Sequence, residues 1–206
     1  MADVEPAPDA QAQRRAAFVA AARDSFLHHG YGATSMSAIA AKVGGSKTTL
    51  WSYFPGKEAL FAAVVDDLVE RFGQALEVPL DSATPLADAL RTFAHGMMGI
   101  VLQPEIVALH RLVAGEAGRI PELGQMFFER GPRRGKGKLA QYLAAAMADG
   151  RVRPDDPALL ARHFAAMCQS GTHQQRLWGL QDDANADEVA ADIEAAVNAF
   201  VRAWAA

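Results

Sequence analysis

The sequence predicts an all-α protein of about nine helices, and three observations lead there. Apolar residues recur three and four positions apart along most of the chain, the period of a helix with one buried face. Alanine is abundant while aromatic residues make up only 8% of 206 positions, which favours close helix packing. Runs rich in Val, Ile, Thr and Tyr, the mark of strands, are absent. The expected organisation is a disordered tail over residues 1–10, a three-helix N-terminal domain over 11–56 and a C-terminal helical bundle over 57–206.

The first ten residues mix Ala, Pro and acids without apolar periodicity, hence the tail. A helix over 10–29 then carries Ala17, Phe18, Ala21, Ala22, Phe26 and Leu27 as its inward stripe. Arg14 and Arg15 near its start are either phosphate contacts or solvated side chains. His28 and His29 sit at its end, where positive charge favours the helix dipole; with no third ligand nearby in sequence, capping fits better than a metal site. Ser35 caps a helix over 36–43 whose inward positions are Met36, Ile39, Ala40 and Val43. Gly44 supplies the left-handed exit and Gly45 extends the turn. Ser46 caps a third helix over 47–53, which is too short to stand alone. Leu50 and Phe54 must hold it against Ile39 and Val43.

With Leu50 inward, a rotation of about 100° per residue turns Thr48 and Ser52 outward. Thr49 and Trp51 flank that face, with Lys47 and Tyr53 at its edges. Small hydroxyls reach base edges or phosphates, and aromatic and cationic borders suit sugars and phosphates. The second helix of a helix-turn-helix motif reads a major groove in this way. From spacing alone, an exposed polar helix in an ordinary bundle fits as well. Charge adds to the argument. The chain is −4 overall, yet between Gln11 and Lys57 six cations (Arg14, Arg15, Arg23, Lys42, Lys47, Lys57) face one acid, Asp24. A basic head on an acidic body suits nucleic-acid binding at one end.

Beyond the corner at Pro55-Gly56, a helix over 57–76 carries Leu60, Phe61, Val64, Val65, Leu68 and Phe72, with Lys57 placed to face a phosphate. A connector over 79–85 ends with Thr84 as cap and Pro85 at the first helical position. Helices over 85–102 and 104–116 follow, the first with Leu86, Leu90, Phe93, Met97, Met98 and Val101, the second with Ile106, Leu109, His110 and Val113 inward. The segment 121–147 is interrupted by a basic run over 130–138, where Pro and Gly predict a kink or loop. That run either attracts an acidic effector or is a solvated patch. Asp155 or Asp156 caps a helix reaching 178, and a last helix spans 187–204. Ala161, Ala165, Ala166 and Gly171, then Ala191, Ala195, Ala196 and Ala199, allow close approach on these two helices. They either form a four-helix contact with a second copy or close the monomer's own core.

Two stretches resemble a known family. Gly30-Tyr31, Thr34-Ser35, Ile39-Ala40, Gly44, Ser46-Lys47, Thr49-Leu50, Tyr53-Phe54 and Lys57-Glu58-Ala59-Leu60-Phe61 resemble the N-terminal domain of TetR-family transcriptional regulators. Three positions depart from the family pattern. Ala38 stands where an acid usually returns the cap, Gly45 replaces a valine that anchors the turn, and Trp51 replaces tyrosine. Arg111, Glu116, Arg119, Pro121-Glu122-Leu123, Phe127 and Gly131-Pro132 resemble the C-terminal domain of the AefR-like branch. The resemblance implies a homodimer with a helical ligand-binding or regulatory domain, expected to pair through the two small-residue C-terminal helices and to bind a pseudo-palindromic double-stranded DNA operator. The cytosol is the default location from the lone cysteine and the lack of a spanning stretch. Repression is the family's usual outcome. The DNA-binding candidates are then Ser35, Ser46, Lys47, Thr48, Thr49, Trp51, Ser52, Tyr53 and Lys57.

Met98, Leu102, His110, Phe127, Phe128, Met147, Phe164, Met167 and Cys168 form the candidate ligand set. Adaptable apolar side chains with few polar groups suit a small hydrophobic or aromatic effector, though Met and Phe at helical spacing also make plain core. No cofactor and no metal is expected. The lone Cys168 rules out an intrachain disulfide. Arg23-Asp24 interrupt the short apolar run after Arg14-Arg15, so a secretory signal is not read there. No stretch approaches the roughly 20 apolar residues that span a bilayer. Catalysis is not expected: none of Asp66-Asp67, Asp155-Asp156 and Asp182-Asp183 sits in an Asp-Asp-x-x-Asp arrangement, and no His-Glu-x-x-His or Gly-x-Ser-x-Gly occurs. The remaining rival is a helical ligand-binding or interaction module without DNA binding.

Overall fold

The computed structural model describes residues 8–73 and 84–206. Among the described residues there are eleven helices: α1 (Pro8–His29), α2 (Met36–Lys42), α3 (Lys47–Tyr53), α4 (Lys57–Gly73), α5 (Leu86–Val101), α6 (Pro104–Glu116), α7 (Pro121–Arg130), α8 (Pro132–Ala148), α9 (Pro157–Gln169), α10 (Thr172–Leu177) and α11 (Ala186–Trp204). The two helices beyond the expected number come from breaks in segments read as continuous or kinked. Gly131 takes a non-helical φ of −108° and ψ of −84° ahead of Pro132. The basic run beyond it is helical, not a loop, because Pro132 falls in the first turn, where its missing N–H costs nothing. A second break at Ser170-Gly171 ends α9 and starts α10.

Other boundaries differ by small amounts. Pro8 to Ala10 are helical instead of tail, and residues 1–7 lie outside the described residues. Most of the connector, 79–83, does too, as does the expected end of the fourth helix at 74–76. Pro85 is the N-cap of α5 and not its first helical residue, because its ψ of 140° is extended. Thr84 therefore does not cap the helix; its carbonyl accepts from Arg151 (3.3 Å) instead. No single described helix is long and apolar enough to cross a membrane.

The chain divides into two compact units. The first comprises residues 1–68 and 111–127. Its core is Phe18, Val19, Ala22 and Phe26 of α1, Met36, Ile39 and Ala40 of α2, Leu50 of α3, Phe54, and Leu60, Phe61, Val64, Val65 and Leu68 of α4. Phe26, Tyr31 and Phe61 form a triangle of rings with centroids 5.4–5.7 Å apart, separations that favour edge and offset contacts. The boundary expected at 56/57 falls inside this unit, since the first three turns of α4 bury their apolar face in it and 111–127 adds Val113 and Leu123.

The second unit holds residues 69–110 and 128–206. Its core joins Leu90, Phe93, Met97 and Met98 of α5, Leu139, Tyr142 and Leu143 of α8, Leu160, Phe164 and Cys168 of α9, and Ile193, Val197 and Phe200 of α11. Rings of Phe93, Phe164, Phe200 and Trp204 follow one another through it. Ala161, Ala165 and Ala196 are buried here, so part of each small-residue stripe closes this core, while Ala166, Ala191 and Ala195 remain exposed.

Candidate functional site

α3 is built from one anchor and one cap. Leu50 is its sole buried residue and is fully shielded. Ser46, in extended backbone, accepts from the Thr49 N–H at 3.0 Å, satisfying a donor that the first turn would leave bare. Phe54 is buried just beyond the helix. Gly44 exits α2 at φ +66°, where a side chain would be strained. The turn before α3 is not hollow at Gly45: a Cβ there would lie 3.2 Å from the Phe18 ring and 3.2 Å from the Arg14 guanidinium. Phe18 and Arg14 occupy the space beside Gly45 that a side chain there would need.

The outward face matches the expected orientation. Lys47, Thr48, Trp51 and Ser52 are exposed, and Thr49 and Tyr53 are half-buried. The hydroxyls differ in freedom. Ser46 and Thr49 hydroxyls pair at 2.8 Å, and Ser52 donates to the Thr49 carbonyl at 2.7 Å. Ser35 is exposed on α2 and caps that helix by accepting from Ala38 N–H at 3.2 Å. No acid stands in the first turn of α2 to return the cap.

Cations are spread over the first unit. Arg14, Arg15, Lys42 and Lys47 are exposed. Arg15 lies over the Phe54 ring at 5.1 Å, and Lys42 donates to the Ser25 hydroxyl at 2.9 Å. Arg23 pairs with Asp67 at 2.7 Å. His28 Nδ1 sits 2.8 Å from the Asp24 carbonyl, a helix-end contact, and no group of three metal-binding side chains occurs among the described residues.

Lys57 is half-buried, with its ammonium 4.3 Å from the Tyr31 ring centroid and 3.5 Å from the Gly32 carbonyl. Burial lowers its pKa, against the pull of Glu58 and Glu116. Gly32 N–H donates to Glu116 at 3.2 Å, and Arg119 lies 3.5 Å from the other Glu116 oxygen. The tip of the α1–α2 loop is thus held between α4 and a carboxylate that arrives from the later half of the chain. Spacing gave no sign of this link.

The candidate ligand residues are only partly assembled. Met98, Phe164 and Cys168 lie in the second unit's core, with Leu102, Met147 and Met167 packed against it. Burial pushes the Cys168 thiol up to about 12, so it stays protonated and unreactive at neutral pH. Phe127 belongs to the first unit and Phe128 is 50% exposed, so neither joins that group. His110 meets His173 edge to face, with centroids 5.4 Å apart. Burial, then His173 and Lys136, lowers His110 to about 4, so it is neutral at pH 7.

His173 and Arg176 are buried polar residues outside the candidate set. Arg176 donates to the Leu102 carbonyl at 2.6 Å, while the buried His173 Nε2 has no hydrogen-bond partner among the described residues. Their positions follow from α10, whose first N–H and Thr172 hydroxyl both donate to Asp192 of α11, at 2.8 and 2.7 Å. A Cβ at Gly171 would collide with that carboxylate, so glycine is needed for the approach. The sequence signal was the glycine itself, read only as a small residue.

Residues 18–64 match the family described as bacterial regulatory proteins, tetR family, and residues 88–206 match the AefR-like transcriptional repressor C-terminal domain. The solved structure of the flavonoid-responsive regulator FrrA superposes with a TM-score of 0.82 at 35% identity, covering 94% of this chain and 98% of that one. The HTH-type transcriptional regulator YhgD of Bacillus subtilis is 24% identical over 152 residues, 72% of this chain and 76% of its own length. RutR of Escherichia coli K12 is 36% identical over 74 residues, 36% of this chain and 35% of RutR.

Proposed function

We infer the function from one premise: the chain belongs to the TetR family of transcriptional regulators. Within it, the protein acts as a repressor. It binds a pseudo-palindromic double-stranded DNA operator as a homodimer and leaves when a small hydrophobic or aromatic effector enters the body. The observation that carries the DNA half is the outward Thr48–Trp51–Ser52 face of a helix pinned by the fully shielded Leu50. Lys47, Thr49 and Tyr53 border that face, Ser46 and Ser35 cap the two helices of the motif, and Lys57 begins α4. Two copies present their reading helices about 34–36 Å apart, one turn of duplex. The exposed alanines 166, 191 and 195 on α9 and α11 support pairing through these helices. The site of action is the cytoplasm, where DNA is.

FrrA, by its name, responds to flavonoids. That similarity and the aromatic and methionine side chains around Met98, Phe164 and Met167 support a planar aromatic effector here. Regulation runs through α4 and α6. On α6, His110 and Glu116 stand about 9 Å apart along the axis, so one helix carries both the histidine pair and the hold on Gly32. A coupling of about 1–3 kcal/mol changes operator affinity roughly 5- to 150-fold.

The test is selection from a random duplex pool followed by mobility shift, with and without added flavonoids. A palindrome enriched at moderate salt, bound by the wild type and lost in Lys47→Ala/Trp51→Ala while the oligomeric state persists, is the expected result. A pool with no enriched palindrome returns the protein to the rival reading of a helical module without DNA binding.

A further inference from the structure

Base recognition by α3 is limited to a few chemistries. Its sequence, Lys-Thr-Thr-Leu-Trp-Ser-Tyr over 47–53, contains no Arg, Asn, Gln, Asp or Glu. The paired hydrogen bonds that single out adenine through Asn or Gln, or cytosine through a carboxylate, are therefore unavailable from this helix. Three hydroxyls are already committed, Ser46 with Thr49 and Ser52 to the Thr49 carbonyl. Lys47, Thr48 and Trp51 are left to reach outward, all three exposed. Trp51 is 44% exposed, one of four large apolar side chains so placed among the described residues. Thr48 and Trp51 are three residues apart, neighbours on one face, and together offer a methyl group and an indole ring. The one feature of a major-groove edge that an apolar surface recognises is the 5-methyl group of thymine.

Resting on the operator-binding reading, we propose that each operator half-site is recognised chiefly through thymine methyl groups, by the Trp51 ring and the Thr48 methyl. Lys47 supplies a phosphate contact or a single guanine contact beside them. The specificity is then steric and apolar. An operator rich in thymine at the positions under α3 follows, with little dependence on hydrogen-bonding base edges.

The experiment uses the full chain and the duplex enriched from the random pool. Each thymine of the half-site is replaced by deoxyuridine, which keeps base pairing and removes only the methyl, and affinity is read by fluorescence anisotropy. Losing one contacted methyl weakens binding about fourfold per half-site, about fifteenfold when both symmetric halves are changed. Trp51→Ala weakens the thymine duplex and flattens the difference between thymine and deoxyuridine, whereas Trp51→Phe keeps a difference. Circular dichroism of Trp51→Ala stays that of the wild type, since the ring is exposed. Equal wild-type affinity for thymine and deoxyuridine duplexes overturns the proposal and leaves operator binding intact. So does Trp51→Ala with the full thymine preference, which would leave the indole a sugar or phosphate contact. A pool that yields no operator sinks the regulator reading and this proposal with it.

Discussion

α3 and α10 are helices of seven and six residues, each under two turns and unable to persist alone. Most polar side chains of α3 face out, whereas three of the five on α10 are buried and Gln174 and Gln175 are exposed. α3 is capped by its own Ser46 and buries only Leu50, so Lys47, Thr48 and Ser52 face out. α10 has no side-chain cap from Gly171; Asp192 of α11 serves its N-terminus, and Thr172, His173 and Arg176 are buried. Polarity alone does not decide which way a helix turns. Here the helix with a local cap keeps its outward face open, and in the one capped from α11 the residues nearest that cap are drawn in.

The comparison breaks most severely at the anchor of α3. Leu50→Ala is expected to cost about 2–5 kcal/mol in urea unfolding and to abolish operator binding, because nothing else on α3 is buried. A loss under about 1 kcal/mol would mean that Phe54 and the cap hold the helix unaided.

Acid acts on the α10 side. His110 has a folded pKa of about 4 against 6.5 for the ordinary group, lowered first by burial. The unfolded chain therefore takes up the proton first. Stability from this group is complete above pH 6.5 and falls as pH drops toward 4, by up to about 3 kcal/mol. His173, also lowered by burial and by Arg176, adds in the same direction. Thermal unfolding from pH 7 to 4.5 should show the slope, and His110→Gln should flatten it. An unchanged slope in that variant would assign the acid sensitivity elsewhere.

Asp192→Ala removes both acceptor bonds at the start of α10 and is expected to cost about 2 kcal/mol, with faster amide exchange over 172–177. Protection confined to wild-type levels there would show that Arg176 and its bond to Leu102 hold α10 without the cap. Ser46→Ala, the local counterpart, is expected to cost only about 1 kcal/mol. Similar losses at the two caps would erase the distinction between them.

The same contrast explains what could be read from the residues. The bounds of α3, its Ser46 cap, the Gly44 exit and the outward Thr48 and Ser52 all follow from interactions within a few positions, and sequence displays those. α10 was read as the end of a longer helix because its cap lies twenty positions ahead, on α11. Phe128 and Phe127 were grouped with Met98 by residue type, but type does not reveal exposure or which unit a residue joins. Glu116 was noticed for its family pattern alone. Its partner, an amide N–H 84 positions earlier, has no sequence signature.

That carboxylate also changes what a modular reading head would be. A chimaera that transplants only residues 1–68 onto another regulator leaves Gly32 facing whatever the recipient supplies near its own sixth helix. Grafting the head faithfully takes two pieces of chain, the second being 111–127. Recombination that shuffles such genes at one crossover would separate the two, so the head and its brace are inherited together or work poorly together.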